Sequence, residues 1–360
     1  MRALVLAAGG VTGALYEVGV LRAVEERVGP PGELFDIFLG ASAGATVAAF
    51  VAQGVLPSKL YDALLDGRHP LFPLRQEDLA VLDLRQGARL AAMAFQQMVR
   101  GFGSLLPRGR RKADAAPVPP GLFSTDRYRR FLASTLASNG LSNEFRGLPR
   151  RLLVPATDLD STRRVVFGKH PWMDVPISTA VAASSAIPAF FEPVVIGDRR
   201  YLDGDVGDVA NLDVLVQEGT SRALVVSPMV PVENETGSCV VPGEGRSCRS
   251  LAERGPWAVY NQALRIEHQV RLHQEIARHL SENQELEVAL IEPEPSNATL
   301  FLANPLSLAA RREVLESAYS QASRTLCRAE TGGWICAGHG SEVVDAALSG
   351  PWLPPATGSA

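Results

Sequence analysis

The chain has 360 residues, 46% of them hydrophobic and 21% charged, which is the composition of an ordinary globular protein with a substantial buried core. Its formal net charge of −4 argues against a protein whose overall field attracts nucleic acid. The sequence also lacks the run of about 18 apolar residues that a membrane-spanning helix requires, so we predict no such helix.

The N-terminal stretch from Met1 to Leu21 is apolar, but its short run Leu4 to Leu6 ends in a glycine turn. A cleaved signal peptide needs a longer apolar core followed by a small-residue cleavage site, and this stretch does not match that pattern. We therefore expect a protein of the cytoplasm, or one that contacts a membrane peripherally.

The first fifty residues alternate between a buried-strand pattern and a helical one. Ala3 to Ala7 is predicted as a strand, Gly9 to Gly13 as a tight turn and Ala14 to Val28 as a helix. The same order recurs with the strand Phe35 to Leu39 and the small-residue helix Ala43 to Gln53. This repetition predicts an α/β fold with three layers, α/β/α, around a mostly parallel central sheet.

The first helix is predicted to be amphipathic. Val18, Leu21 and Val24 recur at helical spacing on one face, whereas Glu17 and Arg22 fall on the other. We expect the apolar face to pack on the sheet and the charged face to meet solvent.

Residues 67–121 differ in character, with prolines, basic residues and no clear strand, and are predicted to be an insertion over the core. Apolar residues recur every fourth position within it, and a basic cluster follows. The stripe is Leu90, Ala94, Met98 and Phe102, and the basic cluster is Arg108, Arg110, Arg111 and Lys112. Two interpretations stay open: a helix that covers the core, or a lid that faces a membrane.

Later strands and helices complete the α/β pattern. The strands are predicted at Arg151 to Ala156, Arg164 to Phe167, Val194 to Leu202, Ala223 to Ser227 and Leu286 to Ile291, and the helices at Pro256 to Glu282 and Leu306 to Arg328. We predict that residues 1–328 form a single domain and that residues 329–360 are a partly loose tail.

The segment Gly40–Gly44 reads GASAG and has the G-x-S-x-G form of a nucleophile elbow. A strand precedes it and a helix follows, so Ser42 would stand on a sharp turn that Gly40, Ala41, Ala43 and Gly44 leave unobstructed. The helix N-terminus would favour negative charge beside the serine. The alternative is that Ser42 caps the helix and the glycines allow close packing.

The turn made of Gly9, Gly10, Val11, Thr12 and Gly13 lies between the first strand and its helix. Backbone N–H groups in such a turn can stabilise a developing oxyanion. The turn does not match G-x-G-x-x-G, so a dinucleotide-binding loop is not indicated.

No histidine stands where a serine hydrolase triad would need one. The six histidines are His69, His170, His268, His273, His279 and His339. We predict that His268, His273 and His279, on the long helix, do not share a face. We expect them to be surface or core residues.

Asp203 is the stronger candidate base, because Gly204 lets the chain turn tightly after it. Asp205 and Asp208 would raise its pKa by like charge. The alternative is a turn aspartate that caps its own backbone.

The chain resembles the patatin-like phospholipases. The resemblance covers about residues 1–215 and rests on four segments in the family's order. They are AGGVTGALYEVGVLRAVEE from Ala8, GASAG from Gly40, ATDLDS from Ala156 and ASSAIPAFFEPVVIGDRRYLDGD from Ala183. The resemblance implies that Ser42 and Asp203 form a catalytic dyad and that Gly9, Gly10 and their neighbours form the oxyanion hole.

The activity implied is lipid acyl hydrolysis of the phospholipase A or lysophospholipase type, through an acyl-enzyme and without cofactor or metal. Two alternatives stay open: a patatin fold that binds lipid or protein without turnover, and an acyltransferase that uses the same dyad. The chain departs from the family at Thr12, where Arg or Lys is usual, and at Asp205, where Gly or Ala is usual.

Overall fold

The computed structural model describes residues 1–67, 69–75, 120–234, 247–295 and 310–327, together with residues 78, 239–240, 300 and 308. Most of the predicted insertion, including its apolar stripe and basic cluster, lies outside the described residues. The predicted tail at 329–360 lies outside them as well.

Strands and helices alternate along most of the described chain. The strands are β1 (Arg2–Leu6), β2 (Ile37–Gly40), β3 (Gly121–Phe123), β4 (Arg151–Asp158), β5 (Arg164–Phe167), β6 (Ala189–Phe191), β7 (Val194–Ile196), β8 (Arg199–Leu202), β9 (Arg222–Val226), β10 (Cys239–Val240), β11 (Ser247–Cys248) and β12 (Glu287–Ile291). The helices are α1 (Gly10–Arg27), α2 (Pro31–Leu34), α3 (Ala43–Val51), α4 (Pro57–Asp66), α5 (Asp126–Ser138), α6 (Ile177–Ser184), α7 (Leu212–Gln217), α8 (Pro256–Glu282) and α9 (Arg311–Cys327).

The central sheet has the order β12-β9-β1-β2-β4-β8-β7, and β5 also pairs with β4. The strands β12, β9, β1, β2 and β4 are parallel to one another. The strands β5 and β8 pair antiparallel with β4, and β7 pairs antiparallel with β8. The predicted strand Val194 to Leu202 is in fact the hairpin β7–β8, because Gly197 and Asp198 form a turn in its middle.

The two faces of the sheet are both covered, as the side chains of β1 show. Leu4 and Leu6 belong to a core shared with α1, α3, α4 and α9, whereas Ala3 and Val5 belong to a core shared with α7 and α8. Alternate side chains of a strand point to opposite faces, so helices lie on both sides of the sheet. The predicted three-layer α/β/α fold with a mostly parallel sheet is confirmed.

The carboxyl ends of β1 and β2 meet at one edge of the sheet, since Leu6 pairs with Gly40. The strand β4 runs beyond this edge, and β8 pairs with its last two residues, Thr157 and Asp158. Because β8 runs in the opposite direction, the chain after Leu202 returns towards the ends of β1 and β2. This return brings two distant parts of the sequence together.

The helix α8 links the parallel strands β9 and β12. A crossover between parallel strands must run back along the sheet, so α8 begins at the carboxyl edge and ends at the opposite edge. Among the described helices, none has the length and apolar character needed to cross a membrane.

Candidate active site

Ser42 occupies the turn between β2 and α3 in a conformation that ordinary residues avoid. Its backbone angles are φ 54° and ψ −125°, a strained region for any residue with a side chain. Gly40 makes the turn possible, because a Cβ on it would stand 2.5 Å from the carbonyl oxygen of Gly44. The side chain of Ser42 is buried, with 3% of its surface exposed. Ser42 therefore lies buried on a sharp, strained turn between a strand and a helix.

The elbow is tied to the end of β1. The N–H of Ala41 donates to the carbonyl oxygen of Leu6 at 3.0 Å. A Cβ on Gly44 would stand 2.5 Å from that same oxygen and 2.8 Å from the oxygen of Ala7. Gly44 therefore allows α3, headed by Ala43, to approach the glycine turn that follows β1.

Asp203 comes directly after β8 and faces the elbow. The hydroxyl of Ser42 donates to Oδ2 of Asp203 at 2.7 Å, and the backbone N–H of Asp205 donates to Oδ1 at 3.0 Å. The N–H of Asp203 donates to the carbonyl oxygen of Ala186 at 3.1 Å. Both predicted members of the dyad are thus in direct contact, although 161 residues separate them.

Burial raises the pKa of Asp203 to about 7, from an ordinary value of 3.8. The N–H of Asp205 lowers the pKa, the negative charge of Asp205 raises it, and the hydroxyl of Ser42 lowers it. The predicted effect of Asp205 is therefore present, but burial is the larger cause. Asp208, the other predicted neighbour, instead forms an ion pair with Arg164 at 2.7 Å.

Ser184, at the end of α6, is a site residue that the sequence did not single out. Its hydroxyl oxygen accepts a hydrogen bond from the N–H of Ser42 at 2.9 Å. A Cβ on Gly204 would stand 2.9 Å from this oxygen and 2.5 Å from the carbonyl oxygen of Pro155. Ser184 therefore anchors the elbow, and Gly204 lets the turn after Asp203 pack beside it.

The glycine turn continues directly into α1. Gly10 has a φ of 62°, which favours glycine, and a Cβ on Gly9 would stand 2.4 Å from Cγ of Pro228. The N–H of Gly13 donates to the carbonyl oxygen of Gly9 at 2.9 Å, so it is used inside the helix. Within the described chain, the N–H groups of Gly9, Gly10 and Val11 donate to no backbone carbonyl oxygen.

Thr12 is buried and points its hydroxyl at the carbonyl oxygen of Gly9, 3.5 Å away. Thr12, which stands where the family usually has Arg or Lys, therefore lies inside the turn and not in solvent.

Glu17 departs from the expectation of a solvent-facing charged residue. It is completely buried, and in the described residues neither carboxyl oxygen has a hydrogen-bond partner. Burial raises its pKa well above the ordinary value. A Cβ on Gly44 would stand 2.8 Å from its Oε1, which places this carboxyl behind the elbow. The prediction from helical spacing was wrong because α1 packs against neighbours on most of its circumference.

The prediction that the histidines of α8 share no face is wrong for two of them, whereas the expectation that they are surface or core residues agrees with their burial. His268 and His279 are eleven residues apart, about three turns, so they share a face, and both are buried. Neither is in contact with Ser42. His268 contacts Asp205 instead: its Nδ1 lies 3.0 Å from each carboxylate oxygen.

An apolar cavity of about 50 Å³ begins beside the elbow and the glycine turn. Its walls come from α1, α3 and α4 and from the segments around Phe72 and Tyr128. The lining residues nearest the elbow are Val11, Ala43 and Thr46, and the deeper ones include Val18, Phe50 and Leu64. The hydroxyls of Thr46 and Tyr128 are hydrogen-bonded to each other, so the walls present almost no free polar group.

Two curated proteins are similar to the chain over more than half its length. YqhO of Bacillus subtilis (strain 168) is 26% identical over 252 residues, 64% of this chain and 72% of YqhO. The cGAMP-activated phospholipase of Escherichia coli (strain TW11681) is 26% identical over 226 residues, 59% of this chain and 53% of that protein. The chain thus spans about half the length of the phospholipase.

Solved structures give weaker similarity. VipD from Legionella pneumophila has a TM-score of 0.37 and 13% identity, covering 90% of this chain and 66% of VipD. ExoU from Pseudomonas aeruginosa, in complex with SpcU, has a TM-score of 0.35 and 15% identity, covering 91% of this chain and 52% of that one. Scores this low carry no weight here.

Residues 4–216 of the chain match a family model described as patatin-like phospholipase. This range contains the elbow, the glycine turn and Asp203, and it spans more than half of the chain. The chain belongs to the patatin-like phospholipase family.

Proposed function

We propose that the protein is a lipid acyl hydrolase of the phospholipase A or lysophospholipase type, with Ser42 as nucleophile and Asp203 as general base. The observation that carries the proposal is the 2.7 Å hydrogen bond from the Ser42 hydroxyl to the buried Asp203 carboxylate. A pKa of about 7 suits a general base, because the carboxylate is then basic enough to accept a proton yet ionised near neutral pH.

In the first step, Asp203 takes the hydroxyl proton as Ser42 attacks the ester carbonyl carbon. The N–H groups of Gly9, Gly10 and Val11 hold the oxyanion, and the N-terminus of α3 adds favourable potential. The tetrahedral intermediate collapses as the proton passes from Asp203 to the leaving alcohol. An acyl-Ser42 ester remains.

In the second step, Asp203 takes a proton from water, whose oxygen attacks the acyl carbonyl. The second tetrahedral intermediate breaks the bond to Ser42 Oγ, and the proton on Asp203 returns to the serine. A free carboxylic acid leaves, and the dyad is restored. The proposed chemistry uses only side chains and backbone groups of this chain.

The apolar cavity supports an aliphatic acyl chain as the group that is transferred. Its lining includes Val11 of the glycine turn and Ala43, the residue after the nucleophile, together with further residues of α1 and α3. A cavity of about 50 Å³ holds only a few water molecules, so a long acyl chain would have to widen it.

Two parts of the proposal come from the sequence. They are a catalytic domain that spans residues 1–328 and contact of its insertion with a membrane surface.

Activity-based labelling tests the dyad. A fluorophosphonate should label the wild type and the control Ser221→Ala, which changes an exposed serine, but not Ser42→Ala. Turnover of phospholipids, lysophospholipids and short esters should fall about a hundredfold or more in Asp203→Asn. The acidic limb of the wild-type rate should lie near pH 7, since Asp203 must lose its proton to act.

Labelling of Ser42→Ala at the wild-type rate would refute the nucleophile. A labelled wild type that turns over no ester would favour a binding module. Acyl transfer to an added alcohol in preference to water would favour an acyltransferase.

A further inference from the structure

His268 lies in the middle of α8 and is 1% exposed, yet both of its ring nitrogens are engaged. Nδ1 lies 3.0 Å from each carboxylate oxygen of Asp205, and Nε2 lies 3.2 Å from the hydroxyl oxygen of Ser227. A carboxylate only accepts hydrogen bonds, so Nδ1 carries the proton. In the neutral ring, Nε2 then accepts from Ser227.

The partner on the first side belongs to the turn that carries the proposed base. Asp205 is two residues after Asp203, and its N–H donates to Asp203 Oδ1 at 3.0 Å. One turn along α8 from His268, Arg271 donates to the carbonyl oxygen of Asp205 at 2.8 Å and to that of Gly207. The guanidinium of Arg271 also pairs with the Asp205 carboxylate at 3.5 Å. The side chain and the backbone of Asp205 are therefore both held from α8.

The partner on the second side belongs to the segment behind the glycine turn. Ser227 follows β9 and precedes Pro228, whose ring packs against Gly9 and Gly13. A Cβ on Gly13 would stand 2.9 Å from Cγ of Pro228. His268 thus lies between the loop of the base and the segment that supports the proposed oxyanion turn.

We propose that His268 is a positioning residue for the dyad, acting on Asp203 through Asp205. The proposal rests on the proposed function. The Nδ1–H of His268 fixes the carboxylate of Asp205, which keeps the N–H of Asp205 directed at Asp203 and offsets the negative charge beside the base. Without this donor Asp205 keeps its contacts with Arg271 but loses the hydrogen bond that orients its carboxylate. The less compensated charge of Asp205 then disfavours the ionised form of Asp203.

Two amide variants separate the two contacts of the ring. In His268→Asn the amide nitrogen lies near the position of Nδ1 and can still donate a hydrogen bond to the Asp205 carboxylate. In His268→Gln the amide lies near the position of Nε2, so only the hydrogen bond with the Ser227 hydroxyl is kept. The measurement is the rate at which a fluorophosphonate labels Ser42, taken from about pH 5 to about pH 9. This interval extends to both sides of the Asp203 pKa of about 7.

We expect His268→Gln to be labelled about tenfold or more slowly, because small misplacement of a reacting group is costly. Its acidic limb should move to higher pH. His268→Asn should retain most of the wild-type rate and its pH profile. A loss of rate that is equal in the two variants, without movement of the acidic limb in the glutamine variant, would overturn the proposal.

A second variant keeps the test decisive if His268→Gln does not fold, as judged by circular dichroism and thermal melting. Asp205→Asn keeps an oxygen acceptor for Nδ1 and removes the charge, so it should be labelled readily at pH 8 with its acidic limb moved to lower pH. An acidic limb that does not move would overturn the proposal. A wild type without Ser42 labelling would instead overturn the proposed function itself, and this inference with it.

Discussion

Replacing Asp203 with asparagine should increase the free energy of unfolding at alkaline pH, even though it removes the proposed base. Burial raises the pKa of Asp203 to about 7, whereas the ordinary value is 3.8. Between these values the folded protein binds a proton that the unfolded chain does not, so stability is lost as the pH rises through this window. Asparagine is neutral at every pH and avoids this loss.

The magnitude follows from the same two values. The interval from 3.8 to about 7, at about 1.4 kcal/mol for each pKa unit, corresponds to about 4 kcal/mol at pH 8. The hydrogen bonds around the site can be kept, since the asparagine oxygen accepts from the N–H of Asp205 and its amide donates to the hydroxyl of Ser42. The gain should shrink steadily towards pH 4, where Asp203 is protonated in the folded state.

Urea unfolding of the wild type and of Asp203→Asn, followed by circular dichroism from pH 4 to pH 8, measures this difference. The control is Asp198→Asn, which removes a carboxylate from an exposed turn. A difference between Asp203→Asn and the wild type that does not vary with pH would refute the reasoning. So would an asparagine variant that is less stable than the wild type at pH 8.

The elbow allows two further predictions. Ser42→Gly should be more stable than Ser42→Ala by about 1 kcal/mol in urea unfolding, because only glycine is unstrained at φ 54° and ψ −125°; an alanine variant of equal stability would contradict this. Gly40→Ala should destabilise the fold by about 2 kcal/mol or more, because its Cβ would meet backbone atoms at 2.5 to 2.6 Å. The matched Gly32→Ala, whose Cβ meets nothing closer than 4.0 Å, should be nearly neutral, and a similar loss in both variants would count against the clash.

Local periodicity was sufficient to predict most elements of the fold. The strands β1 and β2 and the helix α8 were predicted close to their observed bounds, because strand and helix periods and glycine turns are properties of neighbouring residues. The hairpin β7–β8 was predicted as one stretch, since a short turn at Gly197 interrupts the apolar pattern only slightly. The insertion stays a prediction.

Ser42 and Asp203 could be proposed from the sequence because each stands in a short motif with its own local geometry. Ser184, Glu17 and His268 could not, since nothing within a few residues of them shows what they contact. Ser184 reaches the N–H of Ser42 across 142 residues, and His268 reaches Asp205 across 63. Helical spacing assigned Glu17 to solvent, but the tertiary packing around α1 buries it.

The sequence by itself determined the α/β layering, the elbow and the acidic turn, because these depend on the order of polar, apolar and glycine residues along a short segment. Only the tertiary structure decided that Asp203 returns to Ser42 through the antiparallel strand β8, that burial rather than like charge chiefly raises its pKa, and that α8 holds the loop behind it. These features depend on the direction of strands and on the exclusion of water by distant segments. Neither is encoded in any single stretch of the chain.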